Sequence, residues 1–289
     1  MKLLDPKSDV TFKKVFGEHK KICMAFLNAI LNLPEPIVEV FYLSNELHLE
    51  FEKGNNTIMD IHCIDAMGKP FIVELQMIFF SSILKPTIFS MAKLTSRQIE
   101  FGQDFNTMIP SYSINILVKS AFQDLNDYKN SFKLTNLKNL EHIIGDVELL
   151  YIELEKWKKL DRFDEENVLD HWLKYFTDPA FYTNLSKEDI EKYGFVVDAT
   201  KFLESSFYSI AELDAHDRQL DMMRTHNYIK SVSLEQGLKE GIEQGEKIAL
   251  DKVIILLQEF KLGKSSNEEL SSKYNINLNF IEQLRFTTA

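Results

Sequence analysis

The apolar positions along this chain change period in a way that separates helices from strands. Near the start, Phe12, Val15 and Phe16 fall on one helical stripe, with Asp9 placed to cap it and Gly17 to end it. Ile22, Phe26, Ala29 and Ile30 repeat that spacing over Lys20–Leu31, and Pro34 and Pro36 stop any continuation. Period two then takes over. Residues 38–43 predict one strand, residues 46–51 a second apolar-polar stretch, and Gly54-Asn55-Asn56 a turn. From Asn56 to Gln76 two short strands are joined by a tight loop at Ala66-Met67-Gly68-Lys69, a hairpin signal. Alternation puts Asp60, His62 and Ile64 on one face of the first strand, and Ile72, Glu74 and Gln76 on one face of the second.

Further on, Ser81-Ser82 opens a helical segment whose apolar side is Ile83, Ile88, Met91, Leu94 and Ile99, with Pro86 in its first turn or at a kink and Gly102 closing it. Residues 112–118 read as a strand, residues 122–139 as polar and irregular, and residues 147–154 as a late strand. A helix follows over residues 165–176, and Ser186 with Asp189 has the spacing of a capping box. Trp157 and Trp172 are assigned to packing rather than to base stacking. Helices around a small sheet make a two- or three-layer α/β core. From Ser209 the text is polar and helix-compatible, and Gly237, Gly241 and Gly245 recur every four residues. Each glycine costs an interior helix about 1 kcal/mol relative to alanine, yet together they form a smooth stripe that another helix can approach. The end predicts a helix, a cap at Ser266 and two short helices. Three parts are expected: residues 1–208, a helical arm over 209–250, and a small helical tail over 251–289.

Composition narrows the class. The chain has 289 residues, enough for one large domain with an appendage, and its 45% hydrophobic and 27% charged content is that of a soluble globular protein. Only Leu3 and Leu4 follow Lys2 before Asp5-Pro6, so no secretory signal is read, and no apolar run reaches the roughly 20 residues that span a bilayer. Cys23 and Cys63 make neither a metal cluster nor a disulfide framework, which fits a reducing cytoplasm. A net charge of −11 argues against a broad basic DNA-binding surface and leaves a local groove or a metal-assisted site. No membrane partner is expected.

The candidate chemistry sits on the hairpin. Asp60 and Glu74 can lie on adjacent strands on one side of the sheet, and with the Gln76 amide beside them they can hold a hard divalent cation through oxygen. The competing reading is a solvated strand face or a structural ion pair. His62 shares that face but lacks an H-x-x-x-H or cysteine partner, so it is no metal ligand by spacing. A lone Asp followed by E-x-Q on the next strand resembles the PD-(D/E)XK nuclease superfamily, with Gln76 where lysine is usual. The opening L-L-D-P-K-S-D-V-T-F-K-K-V-F-G, the helix F-L-N-A-I-L, the strand I-V-E-L-Q, and A-K-L-T-S-R-Q with S-I-N-I-L beyond it are similar to its transposase and recombination-promoting nuclease family.

That resemblance implies a restriction-endonuclease-like core, a small mixed sheet flanked by helices, with a helical C-terminal extension. It implies a DNA endonuclease hydrolysing phosphodiester bonds with Mg²⁺, or Mn²⁺ in its place, associated with recombination or a mobile element. Asp60, Glu74 and the backbone carbonyl of Leu75 would hold the ion, Gln76 would complete the catalytic set, and Asp9, Glu18 and Lys85 are accessory candidates. Pro86 replaces a common arginine beside Lys85. Family members often carry a glycine-periodic tail, which points to a homo-oligomer. The alternative is a catalytically idle nuclease-like scaffold that self-associates through its C-terminal arm.

Overall fold

The structure, a computed structural model, describes residues 2–42, 57–78, 84–99 and 103–288. The expected stretch over residues 46–51, the turn at Gly54-Asn55-Asn56 and the stop at Gly102 lie outside the described residues. Helix α1 (Asp9–Phe12) is capped by Ser8 rather than Asp9: the Ser8 hydroxyl accepts the Thr11 N–H at 3.3 Å from an extended backbone. A π-helical turn, Lys13–Gly17, carries the stripe on, and α2 (Lys20–Leu31) ends at a left-handed Asn32. Phe12, Val15 and Phe16 are fully buried, as their spacing predicts.

The sheet then builds from β1 (Ile37–Tyr42), β2 (Thr57–Asp65) and β3 (Pro70–Ile78), followed by α3 (Leu84–Ser96), with Pro86 in its first turn, and β4 (Ser111–Leu117). Strands β5 (Lys129–Asn136) and β6 (Asn139–Glu153) complete a mixed sheet of order β1-β2-β3-β4-β6-β5. The β2–β3 hairpin turns where expected. Asp65 Oδ1 accepts the N–H groups of Met67 and Lys69 at 2.9 and 2.8 Å, and Gly68 takes φ 76°. Strand β3 pairs with β2 on one side and runs parallel to β4 on the other, and every residue from Phe71 to Ile78 is buried. A strand covered on both faces reads as a near-continuous apolar run, which makes Glu74 and Gln76 conspicuous within it.

Two expectations need correction. Residues 122–139 are irregular only over 122–128: β5 begins at Lys129 and pairs with β6, which begins at Asn139. An exposed edge strand has no buried alternation to read, and its turn lacks glycine: Asn136 Oδ1 shapes it by accepting the Lys138 and Asn139 N–H groups at 2.8 and 3.2 Å. Ile88, placed on the apolar side of α3, is 56% exposed; Met91 and Leu94 are buried as expected, and Thr87 rather than Ile88 joins them.

Beyond the sheet come α4 (Leu154–Lys159), α5 (Val168–Thr177), α6 (Lys187–Lys192) and α7 (Gly194–Lys201), with the capping box of α6 formed as its spacing predicts. Asn167 caps α5, which therefore starts three residues later than its apolar spacing suggests. Helices α1, α2 and α5 meet in an aromatic cluster centred on Phe16, whose ring lies 4.9 Å from Phe12, 4.8 Å from Phe26 and 5.9 Å from both Trp172 and Phe176. Helix α8 (Ile210–Leu262) follows, then α9 (Asn267–Tyr274) and α10 (Leu278–Thr288).

The chain divides into two compact units, Met1–Leu220 and Asp221–Ala289. In the first, the start of α8 is tied to the N-terminus: Lys14 pairs with Glu212 at 3.0 Å, and Gln219 Oε1 accepts the Asp9 N–H at 2.7 Å. In the second, Leu256, Leu270 and Ile281 form a small core under the Ser266–Glu269 capping box. No helix among the described residues is long and apolar enough to cross a membrane.

Two outcomes follow from this packing. Phe16→Ala removes the hub of the aromatic cluster and is expected to cost about 3–5 kcal/mol, read by urea unfolding. Glu212 accepts the Ser209 N–H and hydroxyl, each at 2.7 Å, and the Lys14 ammonium, which together hold its carboxyl down to about 2 from an ordinary 4.5. Because the folded-state value is depressed, its contribution is present above pH 4.5 and is lost as pH falls toward 2. Glu212→Gln should flatten that part of the acid melting profile.

Candidate active site

Register brings the two hairpin positions together. Asp60 pairs with Glu74 directly across the β2–β3 ladder, with His62 opposite Ile72. On the other side of β3, Glu74 lies beside Ser113 and Gln76 beside Asn115 in the parallel ladder with β4. This face of the sheet lies under α3, where Met91 and Leu94 pack on Ile72. At the opposite end of the face, Ile78, Leu117, Phe122 and Tyr151 form a second apolar cluster. Between the two clusters the sheet is polar. Glu74 is 1% exposed, and Gln76, Ser113 and Asn115 are equally enclosed.

Such enclosure is costly for a carboxylate unless donors replace its water. Two are present. Gln76 Nε2 donates to Glu74 Oε1 at 3.2 Å, and the Ser90 hydroxyl on α3 donates to the same oxygen. An ionised carboxylate only accepts, so the Gln76 amide must turn its nitrogen toward Glu74 and its carbonyl oxygen away. Around this pair, Thr87 Oγ1 and Tyr151 OH share a 2.5 Å hydrogen bond. Burial pushes the Tyr151 hydroxyl up; the Thr87 bond opposes the shift, and the nearby Glu74 charge adds to it. Asn115 Nδ2 donates to Ser113 O at 3.1 Å and to Leu150 O at 3.2 Å, whereas its buried Oδ1 meets no donor among the described residues.

The remaining predicted residues lie elsewhere or in other roles. The Leu75 side chain is fully buried on the opposite face, and its backbone sits mid-strand between β2 and β4. Asp9 pairs with Lys13 at 3.2 Å in an exposed i,i+4 contact. Glu18 lies close enough to Tyr208, beside Glu212, for its charge to raise that hydroxyl, which burial already pushes up. Lys85 is exposed in the first turn of α3.

Sequence reasoning missed Ser90, Thr87, Ser113, Asn115 and Tyr151. A signal for two of them was present: Thr87 and Ser90 interrupt the buried 87–91–94 stripe of α3 with hydroxyls. The β4 residues were hidden because polar groups in the middle of a fully buried strand resemble noise in an apolar run.

Among the described residues no group of three or more His, Cys, Asp and Glu side chains is placed to hold a metal. The oxygens of Glu74 and of the residue at position 60 are nonetheless the hard donors that Mg²⁺ takes. That ion commonly binds through one or two carboxylates and keeps several of its waters. Ser90 and Gln76 meet the Glu74 carboxylate as neutral donors. The residues present therefore fit a divalent cation.

No curated protein and no solved structure matches this chain. A family model does, over residues 6–253, and its description is PD-(D/E)XK nuclease family transposase. The match takes in the hairpin, α3 and β4 together with most of the helices that support them. The chain belongs to the PD-(D/E)XK nuclease family transposases.

Proposed function

We propose that the protein is a Mg²⁺-dependent DNA endonuclease whose site is built on Asp60, Glu74 and Gln76. The observation that carries this reading is the β2–β3 register, which sets Asp60 opposite an enclosed Glu74 in a chain of this family. Asp60 and Glu74 would hold the cation through oxygen. When bound, the cation supplies charge neutralisation at the phosphate and acidifies a water. Gln76 has no charge to offer and is no general base at neutral pH; it orients the attacking water through its amide oxygen.

Contact with DNA is supported locally despite the charge of −11. Residues 84–99, which include α3, carry Lys85, Lys93 and Arg97 and no acidic residue, so the helix above the site is its most phosphate-compatible element. The free, buried thiols of Cys23 and Cys63 suit a reducing cytoplasm. Mg²⁺-dependent nicking of plasmid DNA tests the assignment. Asp60→Ala and Glu74→Ala should each lower it by more than the roughly 10–100-fold that loss of an outer-shell partner costs. Gln76→Ala should slow cleavage while Mg²⁺ still binds. Undiminished nicking by folded Glu74→Ala would remove the site from this hairpin.

A second role, assembly, is favoured by α8. Within the second unit, every residue of 221–251 except Met223 is exposed, including Ile229, Leu234, Leu238, Ile242 and Ile248. Gly237, Gly241 and Gly245 lie in the same stretch with open space where a Cβ would stand. In proteins most helical stability comes from tertiary packing of an apolar face. A second copy of the chain would provide that packing. Sedimentation of the full chain should show an oligomer that Leu238→Lys with Ile242→Lys shifts toward monomer. An unchanged sedimentation profile would exclude this stretch as the interface.

A further inference from the structure

The hydroxyls along α3 follow one pattern with one exception. Thr95 Oγ1 returns to Met91 O at 2.9 Å and Ser96 Oγ to Lys93 O at 3.0 Å, the usual local satisfaction of a hydroxyl within a helix. Thr87 Oγ1 returns to Leu84 O at 3.1 Å and also meets Tyr151 OH on β6. Ser90 instead donates across to the Glu74 carboxylate on β3. Its helix is fixed on both sides of this contact. Thr87 is tied to Tyr151 one turn before it, and Met91 and Leu94 pack on Ile72 after it. The hydroxyl is therefore delivered from a rigid element and not from a mobile chain.

The terminal torsion of a glutamate is broad and roughly two-fold, so the donors that meet the carboxylate set its plane. Gln76 is such a donor, two residues along the same strand and at 3.2 Å. Ser90 adds a second donor to the same oxygen from the layer above, and two donors from different directions define the plane. We propose that Ser90 is a positioning residue, whose hydroxyl fixes the Glu74 carboxylate in the orientation that binds a divalent cation. This rests on the cation reading of the hairpin and adds to it a residue outside the E-x-Q strand. Loss of a partner that orients a metal ligand typically costs about 10–100-fold in metal affinity.

The test is calorimetric titration of Mg²⁺ into the full chain as wild type, Ser90→Ala, Ser90→Thr and Glu74→Gln, each checked by its metal-free melting curve. Ser90→Ala should weaken Mg²⁺ binding about 10–100-fold with a near-native melt. Ser90→Thr keeps a hydroxyl at the same place and should restore affinity close to wild type, a rescue that helix packing alone does not predict. Without metal, the melting-point changes of Ser90→Ala and Glu74→Ala should be non-additive in the double variant, because either change removes the one hydrogen bond that the two groups share. Wild-type affinity in Ser90→Ala, beside lost binding in Glu74→Gln, would overturn the assignment of Ser90 alone. Additive melting-point changes would also overturn it. Failure of the wild type itself to bind Mg²⁺ would remove the cation reading and the role of Ser90 with it.

Discussion

Enclosing one carboxylate in the middle of a doubly covered strand is the constraint on which the rest of this site depends. Glu74 sits in β3 between apolar residues on either side, with paired strands along both edges and α3 above. An ionised group cannot remain there unless hydrogen bonds replace the water it has lost. The Ser90 and Gln76 bonds to Oε1 answer that requirement. The clusters around Ile72 and Ile78 then seal the polar strip at both ends. Apolar packing thus does not compete with the site; it defines where polar chemistry is confined.

The supporting layers explain why the hairpin holds its register. Slipping β2 by one residue would move Ile61 and Cys63, both fully buried, to the other face of the sheet. The Asp65 turn fixes the loop length between the strands, and β4 fixes β3 from the other edge. A pairing of positions 60 and 74 is consequently a property of the whole sheet. Glu153 illustrates the same rule away from the site: fully buried, it accepts the Ala121 and Phe122 N–H groups at 2.7 and 3.2 Å and pairs with Lys156 at 2.6 Å. There the charge is cancelled by a cation and holds a loop. At Glu74 the Ser90 and Gln76 donors are neutral groups.

Much of this was legible from periodicity. The stripe Phe12, Val15, Phe16, the helix Lys20–Leu31 and the hairpin turn follow from short-range rules, and all formed where those rules put them. What was not legible depends on distant partners. Strand β5 exists because β6 lies beside it, and its own residues, largely exposed, carry no sign of burial. Ser90 looks like any helix serine until α3 is placed over β3. Asn115 and Ser113 acquire meaning only from the parallel ladder that sets them beside Gln76 and Glu74. The E-x-Q strand is legible because its spacing alone puts Glu74 and Gln76 on one face, whereas the groups around it depend on the fold.

The enclosed carboxylate at position 74 is the group on which cation binding turns. Calorimetric titration of Mg²⁺ into wild type and Glu74→Gln measures this, since glutamine keeps the volume of the side chain and removes its charge. Saturable Mg²⁺ binding is expected in the wild type and its loss in Glu74→Gln with the fold intact. Equal binding by both proteins, or none by the folded wild type, would rule out a cation at Glu74.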